Sequence, residues 1–289
     1  MMLPNSQGSL MPCRPTGVHV GENPNCPPIS TQIDICNGAG PQTAYCVMNL
    51  PMLRILCDED VGRIRSGSLD ILSDVGIVIH HELALRRLHE AGATVDHRKQ
   101  QVRIPQNIVE ECVKKAQGFT RLAGRCGEKD LRVEPGRTYT RCVSGSIYMI
   151  DSETGTRRNA TSTDVEKFTR LQDALENISF CGGSPYPSDA NQRMQDIYQI
   201  RIMLENTRKH IRFQPFSGQS LDYIVRLAAA VVGGEEELRK RPILSCITAP
   251  SSPLRYSTEQ ADIIIGCGKY GLPAMLGSTP TMGATGPET

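Results

Sequence analysis

The sequence predicts an α/β protein: a (β/α)8 barrel of the TIM type, incomplete in this chain, preceded by a small α+β N-terminal module. In its second half a helix, an apolar strand and a loop rich in Gly, Pro and Ser follow one another four times, as in βα units. The strands are apolar runs without a regular alternation of polar residues, which is typical of parallel strands buried on both faces. No strand is followed by G-x-G-x-x-G, which makes an open dinucleotide-binding sheet the weaker alternative.

The first 51 residues differ from the rest in composition. They contain only three charged residues, Arg14, Glu22 and Asp34, and are dominated by Pro, Gly and Asn. Such a segment has little periodic apolar surface to offset the entropy lost on ordering, so we expect residues 1–51 to be disordered or loosely attached. Met52, where the composition changes, is an alternative start of the protein.

The pattern of helical periodicity and short apolar runs in residues 52–135 predicts the small α+β module. Helical periodicity from Asp58 ends at Gly76, and a short apolar strand follows at once. Two more helices and another strand come next, and the last of these helices begins at Pro105. Short apolar runs separated by Gly turns then predict several strands and the transition to the barrel domain, residues 136–289.

The barrel domain contains four predicted strands and the helices that join them. The strands are 178–181, 210–214, 243–248 and 272–276. The helices between them cover about 190–206, 219–232 and 257–270. The helix before the first strand is predicted to begin at Asp164, with Thr163 as its N-cap. Right-handed crossovers would make the strands parallel.

Neither the histidines nor the cysteines predict a metal site. The stretch 80-HHELALRRLHE-90 lacks the H-E-x-x-H spacing of zinc enzymes, and we interpret it as the solvated face of a helix. The 11 cysteines are scattered and include no C-x-x-C pair, so we expect free, mostly buried thiols. His210, at the start of a predicted strand, is expected to be structural.

Charge and hydropathy argue against two classes of partner. The chain has 32 Lys and Arg residues against 31 Asp and Glu, and this net charge of +1 gives no long-range attraction to nucleic acid or to an anionic membrane. No apolar run is long enough to predict a membrane span, and no basic stretch followed by an apolar one predicts a secretory signal. We therefore expect a cytoplasmic protein.

The loops after the predicted strands are the candidate site, because a β/α barrel places its active site at the carboxyl ends of its strands. Three of these loops contain one aromatic residue each, Tyr186, Phe216 and Tyr256. Ring faces attract a quaternary ammonium by about 0.5 to 2 kcal/mol each, so we predict that the three rings bind a cationic methylated amine. The alternative is that the rings only fill the top of the barrel.

Other residues of these loops complete the prediction. The hydroxyl groups expected to orient the substrate belong to Ser184, Ser217, Ser251 and Ser278. The loop 277-GSTPTMGATG-286 is the candidate cofactor-binding segment, through Gly277 and Gly283. Its backbone N–H groups would equally suit a phosphate, as in an unrelated barrel lyase. No Ser-His-Asp triad or G-x-S-x-G elbow can be assigned, so the catalytic residues stay unknown.

Five stretches of the chain share their pattern with one known family. They are 69-LDILSDVGIVIHHELALRRLHEAGATVD-96, 102-VRIPQNIVEECVKKA-116, 151-DSETGTRRNAT-161, 233-GGEEELRKRPILSCITAPSSPLRYS-257 and 282-MGATGPET-289. In combination they resemble the trimethylamine methyltransferase family, which also includes glycine betaine methyltransferases. The resemblance runs from Met52 to Thr289, and residues 1–51 match nothing in that family.

The resemblance implies a barrel enzyme that takes a methyl group from a tertiary or quaternary methylated amine and passes it to the cob(I)alamin of a separate corrinoid protein. The cobalt would perform the chemistry, so we expect the partner to supply the cobalamin and the chain to bind no cofactor tightly. Trimethylamine enzymes of the family carry a pyrrolysine, and its position would fall after Thr289.

The resemblance also concerns the length of the protein. In the family the turn that matches residues 283–287 is followed by a long helix and the remaining strands, so we expect this chain to be the first part of a longer protein. Open sheet edges and an exposed apolar face would favour a homo-oligomer. A truncated homologue that binds a partner without catalysing a reaction is the non-enzymatic alternative.

Overall fold

The computed structural model describes residues 55–116, 118–142, 145–278 and 280–286. Contacts divide the chain into two units, Met1–Val61 and Gly62–Thr289, and most of the described residues belong to the second. The disorder predicted for residues 1–51 concerns a segment outside the described residues. The predicted domain boundaries after residues 51 and 135 stay predictions.

Short strands and longer helices alternate along the described residues. The helices are α1 (Asp58–Asp70), α2 (Glu82–Glu90), α3 (Gln106–Lys115), α4 (Ser162–Ala174), α5 (Gln195–Asn206), α6 (Gly218–Val232), α7 (Glu235–Lys240) and α8 (Thr258–Tyr270). The strands are β1 (Ile77–Ile79), β2 (Thr94–Asp96), β3 (Gln101–Arg103), β4 (Thr120–Leu122), β5 (Leu131–Val133), β6 (Tyr148–Ile150), β7 (Arg157–Asn159), β8 (Cys181–Gly182), β9 (Ile211–Phe213), β10 (Leu244–Thr248), β11 (Arg255–Tyr256) and β12 (Ala274–Leu276).

A parallel four-stranded sheet organises the second half of the chain. Its order is β8-β9-β10-β12, and every pair in it is parallel. Ile211 is the common point of the register, since it lies opposite both Cys181 and Leu244. A doubly wound sheet reverses its strand order at a switch point, and these four described strands show no reversal. The mixed α/β class and the parallel sheet predicted from the sequence are confirmed.

The main core lies between this sheet and the helices α5, α6 and α8. Ile211 and Phe213 of β9 are both buried in it. Because side chains alternate along a strand, Arg212 between them points to the opposite face of the sheet. The helices approach each other closely at Gly266 of α8, where a Cβ atom would lie 2.6 Å from Leu221 Cδ2 of α6.

A second, mixed sheet joins the N-terminal module to the loop that follows β10. Its order is β11-β1-β3-β2, with β1 antiparallel to β3 and parallel to β11. Ile79 pairs with Tyr256 in this sheet. Its small core contains Ile79, Leu85, Val102 and Ala261. The predicted strand 77–79 is confirmed, and its pairing with β11 attaches the loop after β10 to the N-terminal module.

The start of α4 differs from the prediction. The helix begins at Ser162 and its N-cap is Thr161, two residues before the predicted cap Thr163. The Asp164 carboxylate accepts hydrogen bonds from the Thr161 N–H at 2.8 Å and from the Thr161 hydroxyl at 2.9 Å. Asp164 therefore lies within the first turn of the helix, and its carboxylate bonds back to the N-cap residue Thr161. The prediction that the helix starts at Asp164 is wrong.

Two segments predicted as apolar and packed are exposed. The predicted buried strand 272–276 is observed as β12, and all three of its residues are exposed, whereas Leu272 before it is buried. The apolar face predicted for the first helix comprises Val61, Ile64, Leu69, Leu72 and Val75. Of these residues only Leu69 is buried.

The outcomes for the cysteines and for the histidines differ. Three of the seven described cysteines are buried thiols, Cys181, Cys246 and Cys267, so the prediction of mostly buried thiols is confirmed only in part. Among the described residues no cluster of His, Cys, Asp and Glu could hold a metal ion. His81 is not a solvated residue as predicted, since it caps α2 and its Nε2 lies 2.9 Å from Asp262 Oδ1 of α8. No helix in the described part of the chain is long and apolar enough to cross a membrane.

Candidate substrate-binding site

A cleft lies at the carboxyl ends of β8, β9 and β10. The cleft opens to solvent. Residues on or just after these strands line most of it, among them Gly183, Ser184, Tyr186, Arg212, Gln214 and Ile247. Ligands of parallel α/β sheets bind at this edge, so the cleft lies where the sequence predicted the site.

The loop after β8 is fixed by hydrogen bonds to two helices. Gln199 of α5 donates from Nε2 to the backbone carbonyls of Ser184 at 2.6 Å and Pro185 at 3.0 Å. The Ser184 hydroxyl is buried and lies 3.2 Å from the Thr169 hydroxyl of α4. These contacts hold the backbone beside the cleft, and they assign the Ser184 hydroxyl a partner within the protein.

The rings of Tyr186 and Phe216 form a pair at this end of the sheet. Their centroids are 5.1 Å apart and their planes are inclined by 48°. The Phe216 N–H donates at 2.8 Å to Oδ2 of Asp196, a residue that is only 1% exposed. Burial, with a smaller contribution from the charge of Asp196, raises the pKa of Tyr186 to about 12. The ring pair and the nearby carboxylate together favour a positive charge here.

Arg212 brings a positive charge into the same cleft. Its guanidinium lies 4.8 Å from the centre of the Phe180 ring, and its Nη1 is 3.0 Å from Met275 Sδ. Its Nε is buried and has no hydrogen-bond partner. Burial first, and the charge of Arg141 second, lower the pKa of Arg212. Sequence reasoning missed both Arg212 and Asp196, although a charged residue in the middle of a predicted buried strand was a usable signal.

The other predicted substrate residues lie in different surroundings. Tyr256 packs against the core of the N-terminal module, and burial raises its pKa. Ser217 caps α6 by accepting from the Ser220 N–H at 3.1 Å. Ser251 exchanges two backbone hydrogen bonds with Arg255, and Ser278 is exposed after β12. The structure pairs the rings of Tyr186 and Phe216, whereas a role for Tyr256 and these serines in substrate binding stays a prediction.

Several backbone N–H groups of the glycine-rich loop already have partners within the protein. The Gly277 N–H donates to the Thr248 carbonyl at 3.0 Å. Gly283 has a φ of 73° and lies in a turn where three later N–H groups all donate to the Thr281 carbonyl. The N–H groups of Gly277 and of residues 284–286 are therefore not available to a phosphate. Cofactor binding by Gly277 and Gly283 stays a prediction.

Comparisons with known proteins assign the chain to a family. The family model described as trimethylamine methyltransferase (MTTB) matches residues 34–289. A trimethylamine methyltransferase from Desulfitobacterium hafniense (strain DSM 10664 / DCB-2) is 31% identical over 79% of this chain and 46% of its own length. One from Methanosarcina barkeri (strain Fusaro / DSM 804) is 28% identical over 81% of this chain and 48% of its own length.

A third relative has a different substrate in its name. A glycine betaine methyltransferase from Desulfitobacterium hafniense (strain Y51) is 23% identical over 83% of this chain and 50% of its own length. The chain thus spans about half the length of the relatives it matches. Because the family match begins at residue 34, the prediction that nothing before Met52 matches the family is wrong. The chain belongs to the trimethylamine methyltransferase family.

Proposed function

We propose that the protein transfers a methyl group from a tertiary or quaternary methylated amine to the cob(I)alamin of a separate corrinoid protein. Family membership supports the reaction class, since the relatives are named trimethylamine and glycine betaine methyltransferases. The observation that carries the proposal is the ring pair of Tyr186 and Phe216 beside the buried Asp196, at the carboxyl end of a parallel sheet. This arrangement suits a methylated ammonium group.

We further propose that the sheet is part of a closed (β/α)8 barrel in the whole protein. The sequential order β8-β9-β10-β12 and the helices packed on one face of this sheet support closure. The cytoplasmic location and the homo-oligomer that we expect from the sequence are also proposals.

The residues of this chain would bind and orient the amine. A quaternary ammonium becomes a neutral tertiary amine when it loses a methyl group, so this step requires no proton from the protein. A tertiary amine would react as its protonated ammonium and leave as a neutral secondary amine. The faces of Tyr186 and Phe216 would contact the methyl groups, and Asp196 would compensate the charge from behind them. The buried backbone of the loop after β8 would keep water from that side.

The corrinoid would supply the nucleophilic cobalt that accepts the methyl group. The described residues fit an acceptor that is presented from outside, because the cleft opens to solvent and Phe216 beside it is 42% exposed. A partner protein covering this edge would bury the Phe216 ring and exclude water from the reacting groups.

The test is methylation of a corrinoid protein in the reduced Co(I) state by the enzyme at its natural length. Trimethylamine and glycine betaine are supplied separately, the visible spectrum of the corrinoid is followed, and the demethylated amine is measured as product. We expect both signals to depend on the enzyme and on one of the two amines. Binding of the corrinoid protein without either signal would favour the non-catalytic alternative, and inhibition by phosphate would favour the lyase.

A further inference from the structure

The face of β9 that lines the cleft carries a guanidinium without an acidic partner. Ile211 and Phe213 are buried on the helix side, so Arg212 between them extends over the opposite face. It is partly enclosed there, between the Phe180 ring and Met275, and its buried Nε makes no hydrogen bond. In the described residues Arg212 has no salt bridge, and an arginine cannot relieve this by losing its proton.

A second arginine lies near the first. The side chain of Arg141 reaches the backbone of β8, where its Cδ would be 3.8 Å from a Cβ atom on Gly182. Its Nη1 donates to the Cys142 carbonyl at 2.8 Å, and its charge is the one that acts on Arg212. No ion pair within the described parts of the chain joins Arg141 to a carboxylate. Two guanidinium groups close to each other repel, and a bound anion would compensate both.

We propose that Arg212, with Arg141 beside it, binds the carboxylate of the substrate, so that the substrate is a zwitterionic methylated amino acid. The inference rests on the proposed function. Tyr186 and Arg212 line the same cleft, so one small molecule bound there can place an ammonium at the Tyr186 ring and a carboxylate at Arg212. A methylamine without a carboxylate would leave Arg212 uncompensated and would be repelled by it. The planar guanidinium is suited to a carboxylate, because it can donate two parallel hydrogen bonds.

The first test compares matched ligands on the unaltered enzyme at its natural length. Calorimetry measures the dissociation constants of glycine betaine, of its methyl ester, which keeps the trimethylammonium and lacks the anion, and of tetramethylammonium. We expect glycine betaine to bind at least about tenfold more tightly than either cation, as a charge-assisted pair of hydrogen bonds predicts.

The second test removes the guanidinium. Arg212→Gln should weaken binding of glycine betaine at least about tenfold and leave binding of the methyl ester unchanged or stronger. Arg226→Gln is the matched control, because it removes the same charge from an exposed position on α6. It should change neither constant by more than about twofold.

Each outcome decides the inference. Tighter binding of glycine betaine together with its loss in Arg212→Gln supports the inference. Equal binding of betaine and ester overturns the carboxylate subsite and leaves the methyltransferase proposal standing, whereas failure of every methylated ligand to bind overturns both. A preference for betaine that survives in Arg212→Gln would show that another residue binds the carboxylate. If Arg212→Gln does not fold, the ligand comparison on the unaltered enzyme still decides.

Discussion

The polar side chains at the amino side of strand β9 have hydrogen-bond partners within the protein, whereas the one toward its carboxyl side has a nitrogen without a partner. At the amino end His210 is fully buried, with Nδ1 3.0 Å from the Ala123 carbonyl and Nε2 2.8 Å from the Ser245 hydroxyl. Arg212, two residues later and so on the same face, is the central residue of β9, lies closer to the carboxyl edge and has a buried Nε without a partner. Buried polar groups normally have partners, so we interpret the unsatisfied Nε of Arg212, which lines the cleft, as available to a ligand.

The difference extends to the neighbour of His210. Lys209 is 5% exposed, and its Nζ donates at 2.7 Å to the carbonyls of both Gln172 and Leu175 at the end of α4. A lysine at the carboxyl end of a helix satisfies carbonyls that have no partner within the helix. Lys209 therefore connects the amino end of the sheet to the helix layer. Lys209 and His210, just before β9, thus have hydrogen-bond partners for their buried polar groups, whereas the Nε of Arg212 has none.

The largest effect on stability is expected from removing the ammonium group of Lys209, at the amino side of β9. Lys209→Met removes the donor and leaves two buried carbonyls unsatisfied, so the free energy of unfolding should fall by about 2 to 5 kcal/mol. Urea unfolding measures the loss, and glycine betaine binding to the folded variant should remain. Lys240→Met, at a surface ion pair with Glu237, is the control and should cost less than about 1 kcal/mol. Equal losses in the two variants would contradict the structural role of Lys209.

A pH dependence is the next effect in size. Burial lowers the pKa of His210 to about 4, whereas an unfolded histidine titrates near 6.5. Because the folded pKa is the lower one, the unfolded state takes up the proton first. The contribution of His210 to stability is then complete above about pH 6.5 and falls by about 3 kcal/mol as the pH drops to about 4.

The histidine is isolated by comparing two unfolding series. His210→Gln keeps a donor and an acceptor but cannot titrate in this range. We expect the unaltered protein to lose its stability advantage over this variant between pH 7 and pH 4.5, as measured by urea unfolding. Two curves that stay parallel over this range would show that the proton binds elsewhere.

The smallest effect is expected at the ring pair of the carboxyl end. Phe216→Leu keeps an apolar side chain and removes the ring face, so a trimethylammonium ligand should bind more weakly by about 0.5 to 2 kcal/mol. The uncharged analogue of the ligand, with a carbon atom in place of the nitrogen, is the control in calorimetry. Equal losses for the two ligands would show that the rings only pack against them.

The sequence predicted the parallel repeat and the edge of the sheet at which the candidate cleft lies. Apolar runs and Gly-rich loops predicted β9 and β10, and the aromatic residues after β8 and β9 lie together as expected. Tyr256 could not be placed in the same way, because β11 pairs with β1 of a distant module. Pairing between residues that are far apart in the chain leaves no periodic signal in either segment.

The charged residues of the cleft were harder to predict for another reason. Asp196 looks in the sequence like an ordinary acidic residue in the first turn of α5, and its contact with the Phe216 N–H appears only when two loops meet. Arg212 interrupts an apolar strand, which was a visible signal. Its lack of a partner, however, depends on every neighbour across the sheet, and local propensity contains no information on those neighbours.

The most direct test of the central claim is one thermal-shift experiment on the enzyme at its natural length. The unaltered protein, His210→Gln and Arg212→Gln are melted with and without glycine betaine, so each variant reports its stability and its ligand binding together. We predict that His210→Gln melts earlier and keeps the ligand-induced rise, whereas Arg212→Gln melts no earlier and loses that rise. A rise that persists in Arg212→Gln and disappears in His210→Gln would contradict the division of structure and function between the two ends of β9.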